Sequence, residues 1–161
     1  MKAILTALTV AASLFASSAS AAEPADIQKL KDTGACRRCD LSNADLEGVM
    51  LMFSDLREAN LEGANLEGAF LQDAKLYGAN LKDAKLNGAD LRDASMRNVN
   101  LYGAELAGTY LLKADLKFAD LRYANLDAAD LEGANIYYVK MKGAILCNTT
   151  MPDGSVIYSG C

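Results

Sequence analysis

The chain contains no histidine and no tryptophan, and it has two prolines in 161 residues. Lacking histidine removes the one side chain whose unperturbed pKa suits proton transfer near neutral pH, and with it the commonest metal ligand. Carboxylate pairs could still do acid–base work, so this absence lowers an enzymatic reading without ending it. An excess of positive charge is also missing. The formal net charge is -5, which argues against binding a nucleic-acid backbone. Apolar runs long enough to span a bilayer are absent too. The longest runs from Ala3 to Ala16, short of the roughly 20 residues that a helix needs to cross ~30 Å of hydrocarbon.

That run belongs to residues 1–22, which carry one Lys, then an apolar stretch, then small residues ending in Ala19-Ser20-Ala21. This is the layout of a cleavable secretory signal, with cleavage after Ala21 or Ala22. No lipid-attachment cysteine follows. The expectation is an exported bacterial protein, periplasmic or extracellular, with no transmembrane segment in the mature chain. Loss of Lys2 takes the net charge from -5 to -6. In an oxidising compartment the four cysteines most simply form two disulfides.

From Asp40 to Asn148 the sequence repeats every five residues without insertion. Taking Leu41, Leu46, Leu51 and onward to Leu146 as centres gives 22 repeats, of which 19 are centred on Leu; the exceptions are Met96, Ile136 and Met141. Two places before each centre lies a small residue, Ala in 16 repeats. A helix advances about 100° per residue, so a step of five rotates Leu by roughly 140° and builds no stripe. A flat strand fails as well, because an odd step would send successive leucines to opposite faces. The conflict disappears if each repeat is a short extended edge followed by a corner, so that the chain coils and every centre points to the axis. The small residue shares the inward side, as strand alternation requires. Nine of the twelve glycines fall two places after a centre, where a corner needs backbone freedom.

"ANLEGANLEGAF" (Ala59–Phe70) shows the motif most plainly, and it resembles the Ala-(Asp/Asn)-Leu-x-x signature of the pentapeptide-repeat family. The resemblance implies an all-β repeat protein, a right-handed quadrilateral β-helix with four repeats per coil. At a sheet spacing of ~4.8 Å, five and a half coils make a rod of roughly 26 Å. A solenoid needs its two ends covered. Residues 23–38 read as an N-terminal cap helix and linker, with Pro24 near the helix start and Gly34 as its stop. Residues 39–148 are the repeats. Residues 149–161 read as a hairpin-like C-terminal cap turning at Pro152-Asp153-Gly154. Both flanks resemble those of exported bacterial members.

The cysteines sit at these two ends. A four-cysteine zinc site needs all sulfurs about 2.3 Å from one ion, which a rod of roughly 26 Å between the pairs forbids in one monomer. The expected pairing is Cys36 with Cys39 and Cys147 with Cys161, with no metal and no cofactor. Arg37 and Arg38 leave a second reading of the first pair open, that of a redox-active thiol with a lowered pKa.

With four repeats per coil the surface divides into four sides, named here by their first centres. The Leu46 side sums to -4 and the Leu51 side to -3, while the Leu56 and Leu41 sides sum to +1 and 0. Within the acidic part, Met50, Met52, Phe53 and Phe70 point outward on adjacent coils. They are the candidate interaction patch, unless the N-terminal helix folds over them. Arg57, Tyr77, Arg97, Lys117 and Tyr137 fall in one column of the Leu56 side, the spacing of a cation–π ladder. No catalytic residue emerges, because every Asp and Glu in the repeats is outward and lacks the burial that shifts a catalytic pKa. The expected function is a non-enzymatic structural or protein-interaction module in the bacterial envelope, as a monomer or end-to-end dimer with an unidentified protein partner. The alternatives are an acidic DNA mimic, as some members of the resembled family are, which the export signal and the short rod oppose, and a redox-active CxxC protein.

Overall fold

The computed structural model describes residues 22–158 and Cys161; the signal-peptide reading of the leader falls almost wholly outside the described residues. Three regular elements flank or end the coil: helix α1 (Pro24–Thr33), strand β1 (Thr149–Thr150) and strand β2 (Val156–Ile157). Pro24 opens α1 at a position where its missing N–H costs nothing. Gly34 closes it in the left-handed region, at φ 64°, and donates its N–H to the Leu30 carbonyl at 2.9 Å. No helix among the described residues is long and apolar enough to cross a membrane.

Everything between is one coil of parallel β-bridges. The residue before each centre pairs with the residue 20 places on, from Ala35↔Asp55 to Asp130↔Thr150. A 20-residue turn built of five-residue repeats has four sides. The centre N–H donates to the coil above, as from Leu61 to the Asn80 carbonyl at 2.7 Å, and the Asn80 N–H returns a bond to Ala59 at 2.9 Å. Each corner closes with a bond from the next inward residue to the centre carbonyl, such as Ala59 N–H to Leu56 at 3.1 Å. The residue two places after the centre has positive φ at every corner from Arg38 to Asn148, nine glycines and 14 other residues.

Those rules make the core. Every centre from Cys36 to Leu131 is buried, and stacked leucines with alanines beside them fill the axis. Full burial of a Leu is worth ~1.5–3 kcal/mol, so the stack is the main source of stability. Thr109 and Thr149 replace alanine at no polar cost: their hydroxyls donate to the carbonyls of Leu86 (2.9 Å) and Leu126 (2.7 Å) on the previous coil.

The register extends further than Asp40–Asn148. Cys36 fills a centre and Cys39 the following small slot, both buried, and Met151 takes the final centre above Leu131. The bridges therefore span about six coils, or ~29 Å at the sheet spacing. At the first coil α1 covers the axis with Leu30 buried and Ile27 partly buried. At the last coil β1 and β2 pair antiparallel, around a turn in which Asp153 Oδ1 accepts the Ser155 N–H (3.0 Å) and hydroxyl (2.6 Å). This tail reaches over only part of the square. Ile136, Val139, Met141, Ala144 and Leu146 stay partly buried.

Candidate interaction surface

The CxxC segment is the joint between α1 and the first coil. Cys36 and Cys39 form a disulfide, as do Cys147 and Cys161. The first bond lies beneath the helix. Asp26 of α1 accepts the Asp40 N–H at 2.9 Å, and the Glu23 N–H donates to the Asp40 carbonyl at 3.1 Å. These two bonds and the Leu30 contact hold the lid in place. Arg37 and Arg38 turn away from the sulfurs and both donate to Glu58 on the next coil, at 2.8 and 2.6 Å. Hydrogen bonds from Arg37 and then Arg38 hold the Glu58 carboxyl below its ordinary pKa. The redox reading therefore loses an accessible sulfur and the two arginines that supported it, although the Lys29 ammonium lies 3.8 Å from Cys39 Sγ. Asp26 and the two sulfurs lie within 4.8 Å of one another, but sulfurs bonded to each other offer a metal no thiolate pair.

The Met/Phe patch is open. Met50 and Phe53 are 71% and 70% exposed, and Met52 and Phe70 each 45%. Met50 bridges to Phe70, which sets their side chains one coil apart in a single column. The helix does not fold over them, because its apolar residues are spent on the rod's end. The corner beside the patch is bare: Gly48 and Gly68 have nothing within 4 Å of where a Cβ would stand. Phe53 sits at φ 60°, a left-handed conformation that bulky residues rarely adopt.

On the opposite sides the rings gather toward the C-terminal half. Phe118 stacks on Tyr138 with centroids 5.4 Å apart, and Tyr137 meets Tyr138 edge-on at 4.9 Å. Tyr102 and Tyr123 make another edge contact at 5.3 Å. Lys82, Tyr102, Phe118, Arg122 and Lys140 line a depression of about 430 Å³ at this corner. The full cation–π ladder expected along the Leu56 side does not form. Lys117 approaches Tyr137 at 6.0 Å and Phe118 at 5.1 Å, but Arg57 is held by Asp55 and Arg97 points to Asp115 at 3.8 Å.

The reason is a pairing that sequence reasoning missed. An Asp before the centre and an Arg after it both face outward two residues apart, so Asp55–Arg57, Asp90–Arg92 and Asp120–Arg122 close bidentate contacts. The Arg57 hydrogen bond is the chief cause that brings the Asp55 carboxyl down to about 2. At Asp90 burial opposes ionisation, yet bonds from Arg92 and Gln72 outweigh it and the pKa falls. The Asp-x-Arg spacing was the available signal. A ladder of side-chain amides also went unread: Asn60 donates to Asp40, Asn80 to Asn60 and Asn100 to Asn80, at 3.1, 3.1 and 2.9 Å.

The fold thus defines a solenoid: a four-sided coil of five-residue repeats with a helical cap at one end. The family pattern of pentapeptide repeats matches in eight copies over residues 36–73, 54–93, 74–111 and 114–151, and the chain belongs to that family. Solved structures resemble it as well. HetL, a pentapeptide repeat protein involved in heterocyst differentiation regulation in the cyanobacterium Nostoc, is 29% identical over 76% of this chain and 76% of its own, with a TM-score of 0.44. Another pentapeptide repeat protein of Nostoc is 28% identical, over 77% of this chain and 99% of its own, with a TM-score of 0.42. One from the thylakoid lumen of Arabidopsis thaliana is 31% identical over 77% and 70%, with a TM-score of 0.25. No curated protein matches the chain.

Proposed function

We propose that this chain is a non-enzymatic binding module, exported to the bacterial envelope, which holds a partner protein against one side of a right-handed four-sided coil. The observation that carries the proposal is the exposed cluster of Met50, Met52, Phe53 and Phe70 on two adjacent coils. The backbone beneath it is fixed by coil-to-coil bonds, so docking costs little ordering entropy there. Phenylalanines supply large apolar contact and methionines adapt to an irregular partner. Glu47, Glu67 and Asp73 surround the cluster, which suits a partner with an apolar centre and a basic rim. The two disulfides and the leader-like residues 1–22 support an oxidising, exported setting. Mimicry of nucleic acid is less well supported, since Arg92 and Lys113 interrupt the acidic sides and the far sides carry no net negative charge.

The test is a crosslinking pull-down from envelope extract with the wild-type chain and a Phe53→Ser/Phe70→Ser variant. The variant is expected to lose a partner that the wild type retains. Identical partner sets would remove the patch from the binding surface.

A further inference from the structure

Across the rod from the Met/Phe patch, the Leu41 side carries the amide ladder, and the ladder stops short. Its rungs follow one rule, seen in full at Asn80. The Asn80 amide donates to Asn60 Oδ1 at 3.1 Å and to Glu62 at 3.2 Å, and its Oδ1 accepts the Lys82 N–H at 3.3 Å and the Asn100 amide at 2.9 Å. Asn100 is the last rung. Its Oδ1 accepts the Tyr102 N–H at 3.2 Å, but the residue one coil on is Asp120, a carboxylate with no N–H to give. Hydrogen bonds from Arg122 keep that carboxyl below its ordinary pKa. Lys82, another donor, takes the place beside Asn100 that Glu62 takes beside Asn80. One N–H and one lone pair of Asn100 are therefore left over among the described residues, next to an ionised Asp120.

These groups open on the depression of about 430 Å³, a volume within the ~300–1,000 Å³ of small-ligand sites. It runs from the coil of Lys82 to that of Lys140, three bridges along the rod, or roughly 14 Å at the sheet spacing. Residue size creates it: in the corner column that forms one wall, Asn98 is short and Phe118 is large. Tyr138 braces Phe118 at 5.4 Å. On the other wall, Tyr102 is braced by the Tyr123 ring at 5.3 Å and by the Arg122 guanidinium at 5.5 Å. Most of the charge is already matched, Lys82 by Glu62 at 3.0 Å and Arg122 by Asp120 at 2.6 Å. Lys140 takes part in no ion pair among the described residues, and it stands at one end of the depression as an unmatched cation.

We propose that this depression binds an acidic saccharide, a short chain of sugar rings that carry carboxylates. Such a ligand answers each feature of the site. Vicinal hydroxyls bring a donor and an acceptor to neighbouring positions, as the leftover groups of Asn100 and the Asp120 carboxylate require. The C–H face of a sugar ring is an apolar surface for the aromatic walls. A carboxylate gives Lys140 its counter-ion. An aryl carboxylate would satisfy the rings and Lys140 but cover Asn100 and Asp120 without pairing them, which is costly. The walls and floor rest on coil-to-coil backbone bonds, so little ordering opposes binding. The site stands on a different side from Phe53 and Phe70 and does not depend on a protein docking there.

The experiment is an NMR titration of the full chain, isotope-labelled and with both disulfides closed, using three probes: a trisaccharide of glucuronic acid, the corresponding trisaccharide of glucose, and benzoate. The acidic trisaccharide is expected to bind with a Kd between about 10 μM and 1 mM, shifting the amides of Asn100, Phe118 and Asp120. The neutral one should bind about three- to fivefold more weakly, the worth of one exposed charge pair, and benzoate not measurably. Asp120→Asn supplies the missing donor to Asn100 and extends the ladder, so it should weaken both sugars about tenfold while the unfolding midpoint is kept. Lys140→Gln should remove the preference for the acidic sugar and leave the neutral one unchanged, a pattern that misfolding would not give. The proposal is overturned if the acidic trisaccharide fails to saturate the chain by about 10 mM, or if benzoate binds as tightly as the sugar. It is overturned equally by an affinity that Asp120→Asn leaves unaltered, or by an acidic preference that survives Lys140→Gln.

Discussion

Replacing Phe53 with Asn separates a docking side chain from a structural one. Phe53 holds φ at 60°, and for a residue with a Cβ the left-handed region costs ~1–2 kcal/mol, a penalty that Asn largely escapes. Against this stands the burial that the ring would lose. It is 70% exposed, so less than a third of a full Phe burial of ~1.5–3 kcal/mol is at stake, or about 0.5–0.9 kcal/mol. The two terms leave Phe53→Asn between neutral and about 1.5 kcal/mol more stable. Denaturant unfolding followed by circular dichroism, with disulfides intact, reads this as an unchanged slope and an equal or higher midpoint. Gly88→Ala calibrates the backbone term. Its φ is 66° with nothing within 4 Å of the added Cβ, so it should lose roughly 1 kcal/mol on conformation alone. Partner binding should meanwhile fall for Phe53→Asn and stay intact for Gly88→Ala. A loss above ~2 kcal/mol at Phe53 approaches the cost of a buried aromatic. It would show that the ring packs against the protein itself, and the patch would no longer be a docking surface.

Other outcomes follow from the same geometry. Asn80→Ala breaks the amide bonds to Asn60 and from Asn100, and should cost ~1–2 kcal/mol in denaturant unfolding; a loss under about 0.5 kcal/mol would mean that the ladder contributes nothing net. Asp55, lowered to about 2 chiefly by Arg57, adds stability that is complete above its ordinary pKa of ~4 and is lost as pH falls through 2. Unfolding midpoints between pH 5 and 2 should therefore fall less steeply in Arg57→Gln, although by a small amount because the pair is partly exposed. Maleimide labelling under native conditions should find Cys36–Cys39 slow to reduce, and Leu30→Ser, by loosening α1, should speed it; a reduction potential above about -300 mV would end the structural-clip reading.

The repeat was legible in the sequence because it is a packing rule written into residue identity. Leu and the small residue two places earlier mark the two inward positions, and the structure buries both. Corners were legible where glycine stands and, more weakly, where Asn or Asp does, as at Asn43 and Asp73. The left-handed backbone also occurs at Phe53, Lys113, Phe118, Tyr123 and Tyr138, because the bonds to the coils above and below impose the corner on whatever residue is present. Propensity marks glycine, Asn and Asp and says nothing of these others. Cys36 was missed as a centre for a related reason. A cysteine in the Leu slot, preceded by Gly34 rather than Ala, lacks the composition of a repeat while obeying its geometry, down to the Ala35↔Asp55 bridge.

In a chain this uniform, function is best sought where the rule is broken. Outward positions of the coil are mostly charged or amidic, and apolar side chains there gain nothing for the core. Met50, Met52, Phe53 and Phe70 therefore cost solubility, and Phe53 costs backbone strain as well, with only a small return from partial burial. At the last coil the inward positions keep their rule with Ile136, Met141 and Leu146, yet these stay only partly buried. One departure is an apolar surface facing sideways and the other an apolar ring facing along the axis. They are separated by most of the rod and lie at right angles.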